Sequence, residues 1–124
     1  MRLNKLQKTA VTALEDIKAR DITLLDVRKL TSLYDTLIVA SAESARQVKA
    51  LARHVRDRLK ESGAEIIGVE GEESGEWVLV DAGSIVVHVM QPSVRAHYNL
   101  EELWTPPAPK RRAAAAKTPA PAPA

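Results

Sequence analysis

The chain has 124 residues, of which 45% are hydrophobic and 27% charged, with a formal net charge of +2 and no cysteine. That length suits one modest core and at most a tail, and the absence of cysteine excludes disulfides, thiolate metal sites and a cysteine nucleophile. No apolar run approaches the ~20 residues of a membrane span, and Glu15 and Asp16 sit inside the first amphipathic segment, which argues against a secretory signal; the expected compartment is the cytoplasm.

Residues Asn4 to Arg20 place Leu6, Ala10, Ala13, Leu14 and Ile17 at helical spacing, with Asn4 as the N-cap. "DITLLDV" (21–27) is short, apolar and β-branched, and is read as a strand. "TSLYD" (31–35) turns the chain, and "TLIVAS" (36–41) is apolar without alternation, as in a sheet interior. Ser44-x-x-Gln47 has the pattern of a capping box and opens a helix that runs to about Ser62 and ends at Gly63. A short strand at 65–69, an acidic loop "EGEESGE" (70–76) and a hairpin follow. The hairpin, "WVLVDAGSIVVHVMQP" (77–92), turns at Ala82-Gly83, so Trp77 should stand opposite His88. Pro92 opens a short helix to about Tyr98, and "NLEELW" (99–104) closes the domain.

This order predicts an α/β domain over residues 1–104, with a mixed sheet of about five strands in two layers and both long helices on one face. The other face then has no helix over it. From Thr105 onward, "TPPAPKRRAAAAKTPAPAPA" is rich in Pro and Ala with four basic residues and no acid, and is read as a disordered basic tail (105–124). Residues 1–104 hold 14 Lys+Arg and 16 Asp+Glu, 14 − 16 = −2, so the domain as a whole suits a basic partner, and the tail suits nonspecific contact with RNA.

Chemical motifs are sparse. The five glycines are scattered and form no phosphate-cradling loop, and His54, His88 and His97 lack metal-ligand spacing. No metal or other cofactor is expected. Arg46, Lys49, Arg53, Arg56 and Lys60 step by three and four along the central helix. They read as a solvated face, or as a stripe that contacts phosphate without base stacking, since no aromatic interleaves. Asp26, Asp35 and Asp81 lie near strand ends, and acids meeting there would suit metal-dependent phosphoryl or nucleotidyl transfer.

Within the hairpin, Val78, Val80, Ile85, Val87 and Val89 form one apolar face. Trp77, Leu79, Asp81, Val86, His88 and Met90 form the other, too apolar for bulk water and too polar for a core. Read from the residues, it is either a protein-binding surface or a face covered by "HYNLEELW" or by a second copy of the chain.

The stretches "TSLYDTLIVASAESARQVKALARHV", "GVEG" and "WVLVDAGSIVVHVMQPSVRAHYNLEELW" resemble the iojap-like ribosomal silencing factor family over roughly residues 4–104. The resemblance rests on Asp35, the run at 42–48, Gly68 to Gly71, Trp77, Asp81, Gly83, His88, Tyr98 and Leu103-Trp104, and departs after Asp35, where the family usually has an aromatic and this chain has Thr36. It implies a nucleotidyltransferase-like fold without catalysis. It also implies binding to the large ribosomal subunit through its fourteenth ribosomal protein, which blocks joining with the small subunit and lowers translation when nutrients are scarce. Active nucleotidyltransferases space two acids as Asp-x-Asp, and here Leu37 stands where the second acid would be. On this resemblance the partner-binding residues are Trp77, Leu79, Asp81, Val86, His88, Met90 and Tyr98, and a homodimer would hide the same patch in the free chain.

Overall fold

A computed structural model of the protein describes residues 4–100. The elements are α1 (Lys5–Asp16), β1 (Arg20–Asp26), β2 (Thr36–Ser41), α2 (Ala45–Glu61), β3 (Gly68–Glu70), β4 (Trp77–Asp81), β5 (Ile85–Met90) and α3 (Pro92–Tyr98). The expected domain end at 104 and the tail from Thr105 lie outside the described residues.

The strands form one sheet in the order β1-β2-β5-β4-β3. Chain neighbours pair antiparallel, and the single parallel contact joins β2 to β5, with Thr36 opposite Ile85 and Ser41 opposite Met90. This is the expected mixed sheet with one crossover. β2 lies inside the sheet and is buried at all six positions, which explains its lack of alternation.

α1 and α2 cover one face. Ala10, Ala13 and Leu14 of α1 and Val48, Leu51, Ala52, Val55 and Leu59 of α2 pack on Ile38, Ala40, Val78, Val80, Ile85, Val87 and Val89. Asn4 caps α1 as expected, and the full capping box is here: Gln7 N–H donates to Asn4 Oδ1 (2.8 Å) and Asn4 N–H to Gln7 Oε1 (2.9 Å). At the other expected box only half forms. Ser44 Oγ accepts from Gln47 N–H at 3.1 Å, but the Gln47 amide is drawn across to the Ile17 carbonyl just past α1 and to Glu43 N–H, both at 3.3 Å. Thr36 is buried, and its Oγ1 accepts from Gln7 Nε2 at 2.8 Å, so a polar pair occupies this place.

Two expectations are corrected. The third strand begins later than 65–69, because Ala64 N–H still bonds back to Leu59 and the ladder to β4 is entered only with Ile67 N–H to the Asp81 carbonyl. The second sheet face is not bare. Val27, Leu37, Val39, Trp77, Val86, Met90 and Leu100 form a smaller core there, with Tyr34, Leu79 and Val94 packed against it.

α3 is what closes this face. It has Pro92 at its start, no side-chain cap at Gln91, and a left-handed Asn99 (φ 46°) at its end. Seven residues are too few to hold a helix alone. Arg95 anchors it: Nη1 donates to the Asp21 carbonyl (2.6 Å) and Ser41 Oγ (2.8 Å), and Nη2 to Thr23 Oγ1 (3.0 Å). The Asp21 carbonyl is presented by an irregularity in β1 between Arg20 and Thr23, where Asp21 itself has φ 50°.

Candidate docking face around Trp77 and His88

The hairpin brings six of the seven expected site residues to the second sheet face, as their alternation requires, but in a different register. Ala82 N–H donates to the Ile85 carbonyl at 2.9 Å, so the turn residues are Gly83-Ser84 rather than Ala82-Gly83. Gly83 comes first in the turn with φ +84°, a conformation that glycine adopts freely. Moving the turn by one residue along the chain shifts cross-strand partners by two. Trp77 therefore faces Met90, Leu79 faces His88 and Asp81 faces Val86. A shift of two preserves the side of the sheet, so Trp77 and His88 remain on one face as diagonal neighbours.

These two residues are joined directly. Trp77 Nε1–H donates to His88 Nδ1 at 2.8 Å, with ring centroids 5.8 Å apart. Nδ1 can accept only when it carries no proton, so His88 is the neutral tautomer with its proton on Nε2. Burial agrees: His88 is 8% exposed and burial lowers its pKa from 6.5 to about 4. Tyr98 packs at a tilt against Trp77, with ring centroids 4.9 Å apart, and lies perpendicular to His97 at 4.7 Å. Tyr98 is 41% exposed, whereas Trp77, Val86 and Met90 are buried. The last three and His88 were expected to stand open on a partner-binding surface. They are instead the floor of the face, because α3, Leu100 and Tyr34 already cover them.

What reaches solvent is the rim. Leu79 and Asp81 are half-buried and Tyr98 is exposed. A cavity of about 450 Å³ opens between the acidic loop and α3, walled by Trp77, Tyr98, His97 and Val94, with Glu76 at its edge. Gly71 closes the loop side. Its φ of +88° and its approach to the Trp77 carbonyl leave no room for a Cβ. Gln91 ties the other side through its N–H to the Glu76 carbonyl (2.9 Å) and its amide to the Gly75 carbonyl (3.2 Å). Sequence reasoning missed the loop after β1, where Leu30 and Leu33 are 49% and 79% exposed. Its only signal was two leucines, Leu30 just before the segment read as a turn and Leu33 inside it.

Asp26, Asp35 and Asp81 do lie at one end of the sheet: Asp26 pairs with Thr36, and Asp35 and Thr36 both donate backbone N–H to the Ser84 carbonyl. The carboxylates of Asp26 and Asp81 are used locally. Both oxygens of Asp26 are held by Arg28 (3.0 and 2.7 Å), which keeps that carboxyl below its ordinary value. Asp81 Oδ1 accepts from Gly83 N–H at 3.0 Å and so braces the turn. Burial, and secondarily the charge of Asp81, raises the Tyr34 phenol. Among the described residues no group of three His, Cys, Asp or Glu side chains could hold a metal ion. Leu37, in the place of a second acid, is fully buried in the smaller core.

A model of the family described as "Ribosomal silencing factor during starvation" matches residues 1–123. The chain belongs to the ribosomal silencing factor family. It is 56% identical over 117 residues to the ribosomal silencing factor RsfS of Chromobacterium violaceum, covering 94% of this chain and 96% of that protein. It is 38% identical to RsfS of Bacillus subtilis, over 84% of this chain and 88% of that protein. A mouse protein named "Mitochondrial assembly of ribosomal large subunit protein 1" is 33% identical over 77% of this chain and 43% of its own length. A crystal structure of a Chromobacterium violaceum protein superposes with a TM-score of 0.81 at 56% identity, covering 94% of this chain and 98% of that one. The α/β fold and the family expected from the sequence both hold, and the two bacterial relatives are named as silencing factors rather than as enzymes.

Proposed function

We propose that this chain is a ribosomal silencing factor of the cytoplasm. In this reading it binds the large ribosomal subunit through its fourteenth ribosomal protein, blocks joining with the small subunit and so represses translation when nutrients are limiting. Family membership carries the reading, supported by the name of the mouse relative, which places that protein with the large subunit. The second sheet face is the proposed docking surface. Tyr98, Leu79 and Asp81 would make contact, while Trp77, Val86, His88 and Met90 would hold them rigid from beneath, which spares ordering entropy on binding. Asp81 and the acids of the 70–76 loop match the charge of a basic ribosomal protein. The block is steric and needs no turnover. A homodimer of the free chain would use the same rim.

The test is co-sedimentation with isolated large subunits followed by challenge with small subunits. The expected result is pelleting with the large subunit and a falling fraction of joined ribosomes as the protein is added. Joined ribosomes forming undiminished in the presence of bound protein would show that it does not act by steric block.

A further inference from the structure

The outer face of α2 plays no part in the docking surface and lies on the other side of the sheet. Its charge is strongly one-sided. Residues 45–61 contain six cations (Arg46, Lys49, Arg53, Arg56, Arg58, Lys60) and two acids (Asp57, Glu61), 6 − 2 = +4. The rest of residues 1–104 then carries −2 − 4 = −6, so the domain is electrostatically segregated. Five of the six cations form a single stripe at 46, 49, 53, 56 and 60, turned away from the buried Val48, Leu51, Ala52, Val55 and Leu59. α1 lies on the opposite flank of the helix, where His54 meets Asp16 and Gln47 meets the Ile17 carbonyl, so it does not cover the stripe.

Ion pairing does not consume the stripe. Arg53 reaches Glu72 of the acidic loop only at 4.0 Å, and Arg56 pairs with Asp57 at 2.9 Å, both at surface positions where such pairs contribute little. Arg46, Lys49 and Lys60 have no ion-pair partner among the described residues. A row of like charges on one helix face costs stability, and an anionic partner would remove that cost.

We propose that the outer face of α2 is a second contact surface, for the phosphate backbone of double-helical RNA. From 46 to 60 the stripe runs ~21 Å at about 1.5 Å per residue, long enough to meet several phosphates in a row. It contains no aromatic on which an unpaired base could stack, which disfavours single strands. It also contains no exposed large apolar side chain that a bilayer would take up; the four on the described surface are Leu30, Leu33, Ile67 and Tyr98, none of them in α2. Asp57 and Glu61 flank the stripe without interrupting it, and a rigid helix presenting a row of cations recognises regular backbone geometry rather than base sequence.

The test uses the full chain and short RNA duplexes of two unrelated sequences, with binding followed by fluorescence anisotropy from about 50 to 200 mM salt. R46Q/K49Q/K60Q is expected to weaken duplex binding at least about tenfold and to lower the slope of log affinity against log salt by about 2 to 3, one unit or slightly less per lost phosphate contact. A second variant, K110Q/R111Q/R112Q/K117Q, is expected to retain most of the binding. Circular dichroism and melting establish that each variant is folded, and the single substitution K49Q, with a smaller expected loss, replaces the triple if it is not. The proposal is overturned if the stripe variant binds like the parent, or if neutralising the basic segment at 110–117 removes the binding instead. Equal or tighter binding to single strands, or to phosphatidylserine vesicles at matched phosphate, would overturn it as well.

Discussion

At the residue scale, Trp77 and His88 define each other's chemistry. The indole N–H requires an unprotonated Nδ1, and burial already opposes the imidazolium, so both effects favour the neutral ring. The folded-state pKa of about 4 lies below the unfolded value of 6.5, so the unfolded chain binds the extra proton first as pH falls. The stability conferred by neutral His88 is complete above pH 6.5 and declines between 6.5 and about 4, by up to ~1.4 kcal/mol per pH unit. Thermal melts from pH 7.5 to 4.5 should show this decline, and His88→Gln, which cannot take up a proton, should flatten it. An equal slope in that variant would assign the acid sensitivity elsewhere. Trp77→Phe keeps most of the ring's volume but leaves Nδ1 without its donor, at an expected cost of about 1–3 kcal/mol. Because Trp77 is buried, its truncation to Ala tests the fold before it tests any partner.

At the scale of elements, α3 depends on its anchor more than on itself. Arg95→Ala removes three hydrogen bonds to β1 and β2 from a helix with no side-chain cap, and should cost about 1–3 kcal/mol. Hydrogen exchange should rise in 92–98 well before it rises in β2 and β5, and uniform loss of protection would contradict a local role. Gly71→Ala is expected to be as damaging, since it forces a Cβ against the Trp77 carbonyl at a backbone angle that L residues avoid; a melting curve like the parent's would show that the loop can move aside. The elements themselves were readable from pattern. Asn4, Gly63 and Pro92 mark helix ends by chemistry confined to a few neighbouring residues, and unbroken apolar character announces the central β2. Contacts distant in sequence were not readable. Nothing near Gln47 indicates that its amide will prefer the Ile17 carbonyl, and nothing near Arg95 indicates the kinked edge of β1. The hairpin turn was misplaced by one residue because Ala82-Gly83 and Gly83-Ser84 both put glycine in the turn. The candidate face was correct in membership, since strand alternation survives a shift of two, but it was expected to be open because both long helices were assigned to the other face, and the packing of Val94 and Leu100 on it joins segments distant in sequence.

For the whole molecule, the two sheet faces divide the work: one is sealed by long helices, the other is roofed at one end and left with a polar, partly aromatic rim. Under the proposed docking, Asp81→Lys should lower large-subunit affinity by about tenfold or more, through like charge against a basic partner. Asp81→Asn is the matched control, since its amide oxygen can still accept from Gly83 N–H while the charge is lost. Asp35→Asn should leave binding nearly unchanged. If Asp35→Asn abolished silencing while Asp81→Lys did not, the docking reading would be wrong and a catalytic one would return.

The parallel pairing of β2 with β5 has a consequence during synthesis. Thr36 of β2 finds its partner only at Ile85, 49 residues later. At roughly 5–20 residues per second that separation corresponds to about 2 to 10 s in which a strand destined for burial on both faces has one edge vacant. β1 can protect only the other edge, and α2, made next, can shield only one face. The emerging chain therefore passes through an interval in which "TLIVAS" is a sticky, half-paired ribbon, and a growing polypeptide stalled when α2 has left the ribosome and β5 has not should be the form most readily captured by holdase chaperones and most readily cut by protease.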